Sequence, residues 1–283
     1  MKIVAVIENK GEKPLHTEHG LCVYIEYRNK KYLLDSGSSN LFLENAKALG
    51  IDLEQIDKAI LSHAHFDHSG GYEGLLEKNA RVSVYVRDKG IEPCYVKVGC
   101  IKKYVGIPKK ILAQYSNRFK YISGKYELDL GVWLIPHTTP HLEIRGKKTH
   151  LARKIDGKIK WDDFAHEQSL VFECAGGLVV LNSCSHGGVD HIIQEVQEAF
   201  PKQKVMAMIG GFHLMGAGGV KTMQGKPEEI RALGRRLNAC ETEEIYTGHC
   251  TGDPAYKILK EELGEKLHYF STGTCLEFAE SAI

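Results

Sequence analysis

The sequence predicts an α/β domain in which helices cover layers of β-sheet, and three observations carry that expectation. Apolar β-rich runs alternate with helix-period segments over residues 21–86, and the alternation returns over 169–270. A cluster of metal-ligating residue types, His63-Ala64-His65-Phe66-Asp67-His68, directly follows the apolar run Ala59-Ile60-Leu61. Hydrophobic residues make up 43% of the 283, enough for a substantial core in one large domain or two small ones.

The elements follow in order. Met1–Ile7 reads as a first strand, because it turns polar after seven residues and lacks a signal-peptide cleavage site. Residues 21–27 and 31–34 form a hairpin about Arg28-Asn29-Lys30, followed by the loop Asp35-Ser36-Gly37. Leu41, Leu43, Ala46 and Leu49 have helical spacing, and Gly50 stops that helix. A strand at 58–62, a helix at 72–79 and a strand at 82–86 come next. Residues 88–165 break the pattern with prolines, lysines and short β runs, and are read as an insertion forming a lid or substrate wall. Beyond it come a hairpin (169–174, 178–181), a helix at 189–199 and a strand at 205–209. A helix at 227–238 opens with Pro227 at its first position, and Glu228 and Glu229 favour its N-terminus. A strand at 244–247, a helix at 254–263 and a strand at 267–270 complete the chain. With no repeat or linker, a single domain spanning 1–283 is expected.

In an extended segment alternate side chains share a face, so His63, His65 and Asp67 can converge, with His68 at the following turn. Imidazole and carboxylate suit zinc, iron or manganese, and a thiolate narrows the choice toward zinc or iron. Leaving three imidazoles and a carboxylate unpaired would be costly unless they were solvated. The run is read as a metal site.

These residues, with Leu34-Asp35-Ser36-Gly37, Asn182-Ser183-Cys184-Ser185-His186 and Gly248-His249, resemble the successive motifs of the metallo-β-lactamase superfamily. Gly210-Gly211-Phe212-His213 and Thr247-Gly248-His249-Cys250-Thr251-Gly252 are similar to a branch that includes dihydropterin–ribofuranosylaminobenzene phosphate synthases. The resemblance implies a four-layer αββα sandwich with two divalent ions at one edge, zinc favoured over iron or manganese. It implies His63 and His65 on the first ion, Asp67, His68 and His249 on the second, and Asp35 supporting the ligands. Where the superfamily has a bridging aspartate this chain has Cys184. His166 stands before the hairpin, in the place of a third histidine for the first ion, and His186 lies two residues past Cys184. Cys184, His186 and His166 all remain open as ligands. His213 and Lys221 are read as substrate contacts, while histidines 16, 19, 137, 141, 150, 191 and 268 receive no role.

The function expected is a metal-dependent hydrolase acting on an ester or phosphoester-type bond through a metal-bound hydroxide, with Asp67 or His186 managing the proton. One alternative is a transferase condensing a dihydropterin pyrophosphate with an aminobenzene ribofuranosyl phosphate. Another is a non-catalytic small-molecule binding protein on the same scaffold. Redox chemistry at a di-iron site ranks below these. The expected partner is a small molecule, phosphorylated or pterin-like, with homo-oligomerisation left open. A net charge of +1 gives no basic stripe for nucleic acid. No stretch reaches the ~18 apolar residues of a membrane span. Eight scattered cysteines without a C-x-x-C pair suit a reducing, cytoplasmic setting.

Overall fold

The computed structural model describes residues 1–281. Two seven-stranded sheets form its centre. The first runs, edge to edge, through the strands Cys275–Glu277, Lys2–Ile7, Cys22–Tyr27, Lys30–Leu34, Lys58–Ile60, Ser83–Arg87 and Phe119–Ile122. The second runs through Leu267–Tyr269, Glu244–Thr247, Val205–Ile209, Gly177–Leu181, Gln168–Cys174, Val132–Pro136 and Tyr126–Asp129.

Strand alternation sorts the apolar residues into three cores. Ile3, Val23, Ile25, Leu34 and Ile60 of the first sheet meet Leu134, Leu170, Phe172, Leu181 and Ile209 of the second. The opposite faces pack outward, Val4, Tyr24 and Leu33 with Phe42, Ala46 and Leu75 of two helices, Leu41–Ala48 and Tyr72–Lys78. On the other side Val171, Val180 and Met208 pack on the helices Val189–Ala199, Pro227–Ala239 and Asp253–Leu263. Val189, Ile192, Ile193 and Val196 fall on one face of the first of these, the spacing that makes it an amphipathic cover. Each fully buried side chain of this kind contributes about 1.5–3 kcal/mol. Helix, sheet, sheet, helix is the expected order of layers.

Most elements lie within a residue or two of their expected limits. The first hairpin is tighter than expected: Lys30 is already paired, and Arg28 and Asn29 both have positive φ, the type I′ geometry that matches strand twist. The chain also ends differently. After Leu267–Tyr269 a further strand, Cys275–Glu277, pairs antiparallel with the first. Residues 88–165 divide in two. Phe119–Ile122, Tyr126–Asp129 and Val132–Pro136 belong to the large sheets, while Cys94–Val98, Ile101–Tyr104, Leu151–Ile155 and Lys158–Trp161 form a separate four-stranded sheet.

Parallel pairing unites Lys30–Leu34, Lys58–Ile60 and Ser83–Arg87 in one sheet and the four strands from Gly177 to Tyr269 in the other. Parallel strands deliver their C-terminal ends to one edge, where open α/β sheets place ligands. Asp35, the 62–69 loop, 182–188, 210–214 and 248–252 all emerge from such ends. Asp35, Ser185, His213 and His249 have φ of 60°, 49°, 49° and 48°. Non-glycine residues in this left-handed region concentrate where side chains are aimed at a site.

Candidate metal centre

His63, His65 and His186 bring one ring nitrogen each to within 4.8 Å of the others. Their ring centroids are 4.6 to 5.1 Å apart. His63 Nε2, His65 Nε2 and both nitrogens of His186 are buried without a hydrogen-bond partner. Such groups are costly to bury unpaired. Burial and the neighbouring imidazoles hold all three rings below the ordinary histidine range, His65 at about 3. They are therefore neutral, the form that ligates a metal.

Asp67, His68 and His249 converge beside them. His68 Nε2 lies 3.2 Å from His249 Nε2, and each is 3.5 Å from Asp67 Oδ2. Cys184 Sγ lies 3.3 Å from His68 Nε2 and 3.3 Å from Cys250 Sγ. Burial opposes charge on His68, but Asp67 and Asp35 outweigh it and raise its pKa to about 9. The field that retains a proton there also favours a cation.

Outer hydrogen bonds fix the ligand rings. Asp35, fully buried, accepts the Ser62 N–H at 2.7 Å, the Ser62 hydroxyl at 2.7 Å and His68 Nδ1–H at 2.7 Å. With its proton given to Asp35, the Ser62 hydroxyl is left to accept His63 Nδ1–H at 2.8 Å. His249 Nδ1–H donates to Asn9 Oδ1 at 3.0 Å. In His63, His68 and His249 Nδ1 is spent outward and Nε2 is turned to the centre, the usual arrangement around a bound ion. The donor set therefore fits divalent metal ions.

His166 lies beside His65 with both ring nitrogens engaged: Nδ1 accepts the Ala64 N–H at 3.0 Å and Nε2 faces Asp162 Oδ2 at 3.1 Å. His213 is stacked obliquely on His186, ring centroids 4.2 Å apart, with a buried, unpartnered Nδ1. Lys221 is exposed, and it is not among the residues that line the neighbouring cavity. That cavity holds about 380 Å³ and reaches from His186 and His213 to helix 143–148 and helix 227–239.

Several residues here escape sequence reasoning. Glu8 accepts the His249 N–H, and Asn9 holds its ring. His19 lies 3.3 Å from Asp67 and stacks on His249. His137 is buried between Glu167 and Glu195, and Glu167 also accepts the His186 and Gly187 N–H groups. The one available signal was Glu8-Asn9, two polar residues at the end of an apolar strand. His19 and His137 had none, because their partners are far away in the chain.

Residues 17–152 match the model of the Metallo-beta-lactamase superfamily. The chain is 27% identical to the 7,8-dihydropterin-6-methyl-4-(beta-D-ribofuranosyl)-aminobenzene-5'-phosphate synthase of Methanocaldococcus jannaschii, over 98% of this chain and 97% of that protein. Among solved structures it is similar to Tm1679, a metal-dependent hydrolase of the beta-lactamase superfamily, with 28% identity and a TM-score of 0.82 over 99% of this chain and 100% of that one. A diphosphatase from the PhnP family shares the fold at 13% identity, with a TM-score of 0.59 over 99% of this chain and 98% of that one.

Proposed function

We propose that this chain, whose residues 17–152 match the Metallo-beta-lactamase superfamily, is a dinuclear metal-dependent hydrolase of a small ester or phosphoester. The observation that carries this reading is the convergence of unpartnered nitrogens from His63, His65 and His186, the last of which lines a cavity. These three would hold one ion, and Asp67, His68 and His249 a second, with Cys184 beside them. Zinc suits a donor set rich in imidazole with one thiol. When bound, the ions supply Lewis acidity toward an ester or phosphoryl oxygen.

The remaining work belongs to the chain. Phe164 stacks on His186 at 4.5 Å and sets its ring plane. His213 Nδ1 can exchange a proton with substrate, and Asp67, kept ionised by His68 and His249 against its burial, accepts hydrogen bonds from the reacting group. His166 supports the 63–65 loop, its Nδ1 accepting the Ala64 N–H and its Nε2 facing Asp162. Turnover of bis(p-nitrophenyl) phosphate and p-nitrophenyl acetate by zinc- and manganese-loaded protein tests the hydrolase reading. Release of p-nitrophenol that His186→Ala abolishes is expected; its absence at full metal occupancy would overturn it.

A second reading, transfer with displacement of pyrophosphate, is favoured by the full-length similarity to the synthase. Incubation with a dihydropterin pyrophosphate and an aminobenzene ribofuranosyl phosphate, followed by mass analysis for the condensed product, separates it from hydrolysis.

A further inference from the structure

We infer that the cavity beside His186 anchors the non-reacting phosphate of an amphipathic organic phosphate, with Arg145 as the anchoring cation. This rests on reading the His186 end of the cavity as the reacting centre.

The cavity's charges are almost all accounted for. Arg236 Nε donates to Asp190 Oδ2 at 2.7 Å, and Lys148 Nζ lies 3.7 Å from Glu229. Arg145 alone among its three cations has no carboxylate or hydrogen-bond acceptor among the described residues, although it is half-buried. Its guanidinium lies against Gly188, two residues from His186. A Cβ on Gly188 would stand 2.5 Å from Arg145 Nη2, and its φ of 97° already excludes most other residues. The missing side chain makes room for the guanidinium at the cavity wall.

A second observation is independent of the arginine. Ser185 lines the same cavity and is 1% exposed, and its Oγ is buried without a hydrogen-bond partner. Helix Val189–Ala199 also begins there; no side chain caps it at Gly188, and the carboxylate of its first turn, Asp190, is paired with Arg236. A planar guanidinium fork, a hydroxyl and a helix N-terminus together suit a tetrahedral oxyanion, which turns several oxygens toward separate donors. Besides the ion-paired side chains, Thr149 and Gln224, the lining has an apolar part: Phe164, Phe212, Leu214, Ile230 and Leu233. These apolar residues accept the organic body, while Arg145 and the 185–188 turn hold the phosphate beside the reacting centre.

Calorimetric titration of the full-length, metal-loaded protein with phenyl phosphate, and with benzoate and phenol in parallel, tests this directly. Elemental analysis of the same samples reports the metals. Phenyl phosphate binding is expected to weaken about tenfold to a hundredfold in Arg145→Ala and to recover in part in Arg145→Lys, with metal content unchanged. Equal affinity in wild type and Arg145→Ala would place the phosphate on the ions alone and overturn the proposal, as would no binding to wild type. Benzoate binding as tightly as phenyl phosphate, with the same dependence on Arg145, would replace phosphate by carboxylate. If the protein hydrolyses nothing yet Arg145→Ala still loses phenyl phosphate, the hydrolase reading fails and the pocket stands.

Discussion

At the scale of single residues, the site depends on where each imidazole places its protons. Asp35 ties Ser62, and through it His63, to His68, so one buried carboxylate orients a ring in each half of the centre. Asp35→Asn keeps the shape but removes the charge and one acceptor oxygen. Metal affinity, measured by competition with a chelating dye, is expected to fall about 10–100-fold. Unchanged affinity would show that Asp35 serves folding only. The ligand types in the 63–68 run were legible in the sequence because their spacing is local. The choice among His166, His186 and Cys184 was not. His166 Nδ1 accepts the N–H of Ala64, 102 residues away, and no spacing reveals such a partner.

At the scale of elements, the 182–188 loop is held by a buried cluster of three residues that the sequence concealed. His137 follows the strand Val132–Pro136 of the second sheet, Glu167 precedes its neighbour Gln168–Cys174, and Glu195 lies on helix 189–199. Burial would lower the His137 pKa, but Glu167 and Glu195 raise it from 6.5 to about 9. Glu195, despite burial, is drawn down from 4.5 to about 2 by His137 and Thr139. A histidine raised on folding stabilises below its unfolded pKa and loses that contribution as pH rises through the folded one. A depressed glutamate stabilises above its unfolded pKa and loses its contribution as pH falls through the folded one. The cluster therefore stabilises most between pH 4.5 and 6.5 and weakens toward pH 9. His137→Gln should cost about 3–5 kcal/mol at pH 6 by leaving buried carboxylates unpaired. In thermal melts its deficit relative to wild type should shrink by pH 9.5; a deficit independent of pH would assign His137 to packing alone. Helices such as 189–199 were legible from their apolar period. The strands Tyr126–Asp129 and Lys158–Trp161 were not, since each carries two charged residues in four and owes its pairing to a neighbour.

At the scale of the molecule, two sheets built from distant parts of the chain meet so that their parallel strands open on one edge. The layer order was legible because alternation sorts side chains between faces. The seam between Lys2–Ile7 and Cys275–Glu277 was not, because its three paired positions join opposite ends of the sequence. Among the described residues no helix is long and apolar enough to cross a membrane. The central claim is that residues 63–68 and the distant His186 and His249 form one cage for two cations. Metal per chain, by elemental analysis of wild type, His186→Ala and His249→Ala after zinc loading and desalting, tests it most directly. Two equivalents in wild type and about one in each variant is the expected result; wild type without metal, or variants that keep both ions, would contradict it.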